Sequence, residues 1–117
     1  MPMKGSKRTI IGLIEKIIII GREREKQVLG KIDTGASRSS IDSRLAAELN
    51  LGPVVATKLV KSAHGNSVRP IVKTNILIAG QKISTKFTLA DRAHMKYNVL
   101  IGNDVLKEGN FLIDPVK

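Results

Sequence analysis

The sequence has 117 residues, 42% of them hydrophobic and 26% charged, which fits one globular domain and excludes a chain disordered throughout. Twenty Lys and Arg against ten Asp and Glu leave a net charge of +10, which attracts acidic peptides, ribosomes or nucleic acid. The absence of Cys excludes disulfides, thiolate catalysis and zinc fingers and suits a reducing, cytoplasmic compartment. Apolar runs such as Ile17 to Ile20 are far shorter than the roughly 20 residues that span a bilayer, so no membrane partner is expected. The basic start lacks the apolar segment and cleavage site of a secretory signal. The charge excess is diffuse, and Tyr97, Phe87 and Phe111 are the only aromatic residues. That is few stacking platforms for a single-strand binder.

In chain order, residues 1–8 read as a flexible basic tail and 9–117 as one domain. Thr9 to Ile20 is rich in β-branched residues and predicts one or two strands broken near Gly12. A turn over Gly21 to Arg24 leads into a second strand, Glu25 to Ile32. Thr34 to Ser40 is small and polar and reads as a loop. Leu45, Ala46 and Leu49 share one helical face, so Asp42 to Asn50 predicts a helix capped by Ser40 or Asp42 and stopped before Pro53. Val54 to Lys61 reads as a strand, Ser62 to Asn66 as a turn, and Val68 to Ile78 as a long strand. After a tight turn at Ala79 to Gln81, Lys82 to Leu89 alternates as a strand with Ile83, Phe87 and Leu89 on one face. Asp91 to Tyr97 is irregular. Val99 to Ile101 predicts a short strand, Asp104 to Glu108 a short helix, and Phe111 to Ile113 a last strand. Many short strands with two short helices make a mainly β domain, a small and mostly antiparallel barrel or sandwich.

The most informative segment is the strand that runs into Asp33-Thr34-Gly35-Ala36. An Asp at the end of an apolar strand calls for a partner or a task. Gly35 permits the sharp turn that lifts the carboxylate clear, and the Thr34 hydroxyl can fix the loop. The bland alternative is an Asx-type turn at a strand end. Ser37 and Ser39 can bond substrate backbone or stabilise the loop.

With these residues in place, the chain resembles the retropepsin-like aspartic proteases. Asp33-Thr34-Gly35-Ala36 is similar to their catalytic loop, and Ser62 to Pro70 to their flap hairpin. Val99-Leu100-Ile101-Gly102 is similar to the apolar pair and Gly that pass behind the active loop, and Asp104 to Glu108 to the helix that follows. Ser62-Ala63-His64-Gly65 with Arg69-Pro70-Ile71-Val72, Leu89-Ala90-Asp91-Arg92 with Met95, and the ending Leu112-Ile113-Asp114 are similar to a smaller branch. That branch is labelled ATP-dependent zinc proteases, and its bacterial members are associated with ligases that add glutamates to a ribosomal protein. Asn103 stands where that branch commonly carries Arg, and Arg38 where a small polar residue is usual.

The resemblance implies a retropepsin-like barrel lobe and an aspartic endopeptidase. Asp33, Thr34 and Gly35 would be catalytic. Ala36, Ser37, Ala63, His64, Gly65, Arg69 and Arg92 would bind a peptide or protein substrate, acidic or glutamylated, with a ribosomal or ligase partner. Arg69 and Arg92 read equally as structural ion pairs, and His64 and His94 as exposed loop residues. Two carboxylates about 3 Å apart can share a proton and supply both acid and base. The chain has one Asp-Thr-Gly, so a homodimer is expected to bring the second Asp33. No cofactor or metal is expected, because two His thirty residues apart form no zinc motif and there is no phosphate loop. The rival reading is a non-catalytic module on the same fold that binds peptide, ribosome or nucleic acid.

Overall fold

Isoleucine and valine at alternate positions make strands with one apolar face, and here those faces close on one another. The computed structural model describes residues 8–117. Its elements are β1 (Ile10–Ile11), β2 (Ile14–Ile20), β3 (Glu25–Ile32), β4 (Ser39–Asp42), α1 (Ser43–Glu48), β5 (Val54–Ser62), β6 (Gly65–Ile78), β7 (Gln81–Ala90), β8 (Val99–Ile101), α2 (Asn103–Glu108) and β9 (Leu112–Ile113). The main sheet runs β2-β3-β8-β4-β7-β6-β5, and a further β2–β6 pairing closes all but β5 into a barrel. Ile17, Ile19, Ile41, Ile76, Phe87, Val99 and Ile101 point into it and are wholly buried. α1 and α2 cover it with Leu45, Leu49 and Val105.

The expected strands over 25–32 and 99–101 are β3 and β8 as read. Three points differ from expectation. The polar stretch before Asp42 contains a strand, because Ser39 and Ser40 pair with Phe87 and Thr88 of β7 and Ser40 also faces Leu100 of β8. The β1–β9, β3–β8 and β4–β7 pairs are parallel, so the barrel is less antiparallel than composition suggests. In β7 the inward face shifts after Phe87, so that Thr88 and Ala90 are buried and Leu89 is half-buried. The expected tail falls largely on residues 1–7, outside the described residues. Arg8 is anchored, its guanidinium donating to the Asn110 carbonyl (3.1 Å) and the Phe111 carbonyl (3.1 Å).

β5 and the first half of β6 form a hairpin that projects from the barrel. Every residue of β5 except Val60 is exposed, and the tip turns at Ala63 and His64. Gly65 there has φ +112°, a left-handed conformation that side chains other than glycine resist.

Phe87 is the largest wholly buried side chain. Phe87→Ala is expected to cost about 3–5 kcal/mol of unfolding free energy, read by chemical denaturation. At the other end of the barrel Glu48 receives Lys26 Nζ (2.9 Å) and Arg24 Nη2 (3.1 Å), tying α1 to the β2–β3 hairpin. The Lys26 hydrogen bond holds the Glu48 carboxyl below its ordinary value, with both cations adding to the effect. A carboxyl lowered on folding adds stability above its unfolded pKa and loses it as pH falls through the folded one. The thermal midpoint of wild type should therefore exceed that of Glu48→Gln slightly at neutral pH. The difference should vanish on acidification below about pH 4.

Candidate active site

β3 delivers Asp33 to the end of the barrel, and the neighbouring strand β8 holds it there. Gly30, Lys31 and Ile32 pair in parallel with Val99, Leu100 and Ile101, and the Asp33 N–H donates to the Ile101 carbonyl (2.8 Å). The chain then turns. Gly35 N–H donates to Asp33 Oδ1 (2.9 Å), and Ala36 N–H to the Asp33 carbonyl (3.2 Å). This is the Asx turn the sequence allowed, and it leaves the Asp33 carboxylate half-buried. Asp33 Oδ2 accepts no hydrogen bond among the described residues.

α2 locks the loop from behind. Asn103 Nδ2 donates to the Thr34 carbonyl (2.8 Å) and Asn103 N–H to the Ala36 carbonyl (2.8 Å). Asp104 N–H donates to the Ser37 carbonyl (3.2 Å). The Asp104 carboxylate accepts from Ser39 Oγ (2.7 Å) and Ser39 N–H (3.1 Å), and Gly102 N–H donates back to Ser39 Oγ (3.0 Å). Gly102 is the crossing point. A Cβ there would lie 2.6 Å from the Arg38 carbonyl oxygen and 2.8 Å from that of Ala36, so only glycine lets the two segments pass. Ser39 thus stabilises the loop, and its side chain is wholly buried in the wall of the adjoining cleft.

The cleft beside this loop, about 330 Å³, is lined by Gly35, Ala36, Ser37 and Ser40 on one side and by the hairpin residues Lys58, Val60 and Arg69 on the other. Lys58 and Arg69 stand directly opposite each other across β5 and β6. Arg38 also lines the cleft, and so does Thr88, whose buried hydroxyl has no partner. Among the expected site residues, the structure brings Gly35, Ala36, Ser37 and Arg69 to this cleft, while Asp33 and Thr34 precede them in the loop and do not line it. Ala63, His64 and Gly65 sit at the exposed hairpin tip and do not line it.

Arg92 is not brought there. Its N–H donates to Asp42 Oδ1 (2.8 Å) and its Nε to the Tyr97 carbonyl (3.1 Å), so it braces the loop between β7 and β8. Asp42, which also accepts from Arg44 N–H as the cap of α1, holds the Arg92 backbone, and the Tyr97 carbonyl takes its guanidinium. His94 is exposed in the same loop, and no group of three or more potential metal-ligating side chains is found among the described residues. Lys58, Thr88 and the Asn103 amide were not singled out by sequence as site residues. The signal for Lys58 is its register: it shares a hairpin face with Arg69.

Several known proteins share this fold. The family model described as "RimB-like: Retropepsin-like aspartic endopeptidase RimB" matches residues 44–117, a span that takes in the hairpin, β8 and α2 and begins after the Asp33 loop. No curated protein matches the chain. A Legionella pneumophila protein of unknown function is 22% identical with a TM-score of 0.69, over 95% of this chain and 96% of that one. The EIAV protease, solved with the inhibitor HBY-793, is 18% identical with a TM-score of 0.67, over 97% and 99%. The simian foamy virus protease is 14% identical with a TM-score of 0.62, over 80% and 91%. At these identities the likeness is one of fold.

Removing the Ser39 hydroxyl would orphan the Gly102 N–H and one bond to the Asp104 carboxylate. Ser39→Ala is expected to lower stability by about 1–3 kcal/mol. Amide exchange should quicken at Asn103 and Ala36 before it does in the β2–β3 hairpin, read by hydrogen–deuterium exchange.

Proposed function

This chain belongs to the RimB-like family of retropepsin-like aspartic endopeptidases, and we propose that it is itself an aspartic endopeptidase, active as a twofold homodimer. The observation that carries this reading is the Asp33 loop, whose half-buried carboxylate has one oxygen held by Gly35 N–H and the other without a partner among the described residues, and whose next residues, Gly35 to Ser37, line a cleft.

Attack of water on a peptide carbonyl needs a base to take the water proton and an acid to polarise the carbonyl. Two carboxylates at close range share one proton and do both, and their titration belongs to the pair. The other Asp side chains are poor candidates for the second. Asp42 caps α1, Asp104 is committed to Ser39, and Asp91 and Asp114 stand in no Asp-Thr-Gly loop. A second copy therefore brings its Asp33 across a twofold axis. The ionised Asp33 takes a proton from water as the oxygen attacks the carbonyl carbon, and its protonated partner donates to the carbonyl oxygen. On collapse of the diol the C–N bond breaks, and the leaving nitrogen takes up a proton from the pair. Thr34 and Gly35 keep the carboxylate in place, Thr34 through the Asn103 clamp on its carbonyl. The β5–β6 hairpin closes over the substrate and excludes water, bringing Ala63 to Gly65 into contact with it.

The cleft walls favour an acidic substrate. Arg38, Lys58 and Arg69 line it, and none makes an ion pair among the described residues. Glutamate-bearing peptides, a ribosomal or ligase partner and a cytoplasmic setting complete the proposal.

The test is cleavage of a peptide library, acidic members included, from about pH 4 to 8 with a chelator present, read by mass spectrometry. Asp33→Asn is expected to lose activity by about a thousandfold or more while its circular dichroism and thermal midpoint stay unchanged. Specific activity of wild type should rise with protein concentration as dimers form. Full activity in Asp33→Asn overturns the proposal. Salt-dependent binding of peptide without cleavage by either chain points instead to a binding module.

A further inference from the structure

The cations of the cleft continue beyond its rim. Arg38 lines the catalytic cleft and also a second groove of about 310 Å³, where it meets Lys73 of β6 and Lys86 of β7. Lys73 and Lys86 are direct partners across the β6–β7 ladder, and both are exposed. Like charges placed opposite one another in a sheet are destabilising. Neither lysine forms an ion pair or a side-chain hydrogen bond among the described residues. Two acids line the groove. Asp104 already accepts from Ser39 and from Val105 N–H, and Glu108 is an exposed rim charge. Lys73, Lys86, Arg38, Lys58 and Arg69 thus form one track leading out of the cleft, along which five cations outnumber the two acids.

We propose that the Lys73–Lys86 groove is a second, non-catalytic site for carboxylate side chains, which holds the acidic segment of a peptide that enters the cleft beside the Asp33 loop. The groove's affinity for carboxylates stands on its charge. Its coupling to cleavage rests on the peptidase reading above. Two observations favour a peptide over nucleic acid. No aromatic residue lines either groove, so bases find no stacking platform. The track also joins a cleft of side-chain dimensions through Arg38. A peptide of about twelve residues, extended over roughly 40 Å, can follow the track from the cleft through the groove, whereas one of about four, extended over roughly 13 Å, covers much less of it.

The test measures binding in the full-length Asp33→Asn chain, by fluorescence anisotropy with labelled oligoglutamates of about four and about twelve residues. The longer peptide should bind more tightly. Lys73→Gln with Lys86→Gln is expected to raise its Kd about fivefold and leave the shorter one within about twofold. Lys16→Gln with Lys31→Gln removes the same charge from the exposed face of β2 and β3 and should leave both peptides within about twofold. Equal effects of the two double variants would reduce the site to diffuse charge. Equal affinity for the two lengths would remove it. Displacement of the longer peptide by duplex RNA, dependent on Lys73 and Lys86, would make it a phosphate site and overturn the proposal. If wild type cleaves nothing yet the length-dependent effect holds, the groove stands and the peptidase reading falls.

Discussion

The wholly buried Ser39 hydroxyl donates to the Asp104 carboxylate and accepts from the Gly102 amide, and two segments distant in sequence meet at it. One is the loop that follows Asp33 and leads into β4, and the other is the passage from β8 into α2. A buried hydroxyl without partners is costly, whereas one bonded to an ionised carboxylate makes one of the stronger hydrogen bonds available. The knot therefore has one good arrangement. In it Gly102 passes under the carbonyls of Ala36 and Arg38, Asn103 reaches the Thr34 carbonyl, and the loop that carries Asp33 is held beside the cleft. The isoleucine core gives the barrel its stability without fixing the loop, because apolar packing is non-directional.

The same molecule contains a part with little to hold it. The β5–β6 hairpin is joined to the barrel by its backbone ladder and buries almost none of β5. Leu59 and Val68 face each other on its outer side at 53% and 65% exposure, so they gain little from burial. Segments with few buried apolar contacts open at low free energy. A rigid carboxylate beneath a loosely held cover suits a site that must admit a peptide and then exclude water.

Much of this was legible in the sequence where one residue type had one meaning. The β-branched run of β3, the Asp-Thr-Gly turn and the apolar triplet of β8 each point to one structure, and all three stand where they were read. β4 was hidden because Ser39 and Ser40 are polar, and only the structure shows that they pair with β7 and β8. Parallel pairing leaves no local signature, so β1–β9 and β4–β7 could not be foreseen. Arg92 and Arg69 look alike in sequence. Asp42 and the Tyr97 carbonyl take the first into a loop brace, while hairpin register puts the second into the cleft. Lys58 became visible only once that register was fixed. The Thr88 hydroxyl is buried by the change of face after Phe87, an irregularity that strict alternation cannot foresee.

One edge of β6 bonds to β7 from Ile71 to Ile78, and the other is divided between two partners. From Gly65 to Val72 that edge bonds to β5, and from Asn75 to Ile78 it bonds to β2. The border is marked by Thr74, whose hydroxyl donates to the carbonyl of Ile20, the last residue of β2 (2.9 Å). Cover and barrel seam thus share a strand but no hydrogen bonds. β5 can peel from β6 as far as Val72 without loosening the staves of the barrel, much as a zip can open to its stop while the cloth beyond stays sewn.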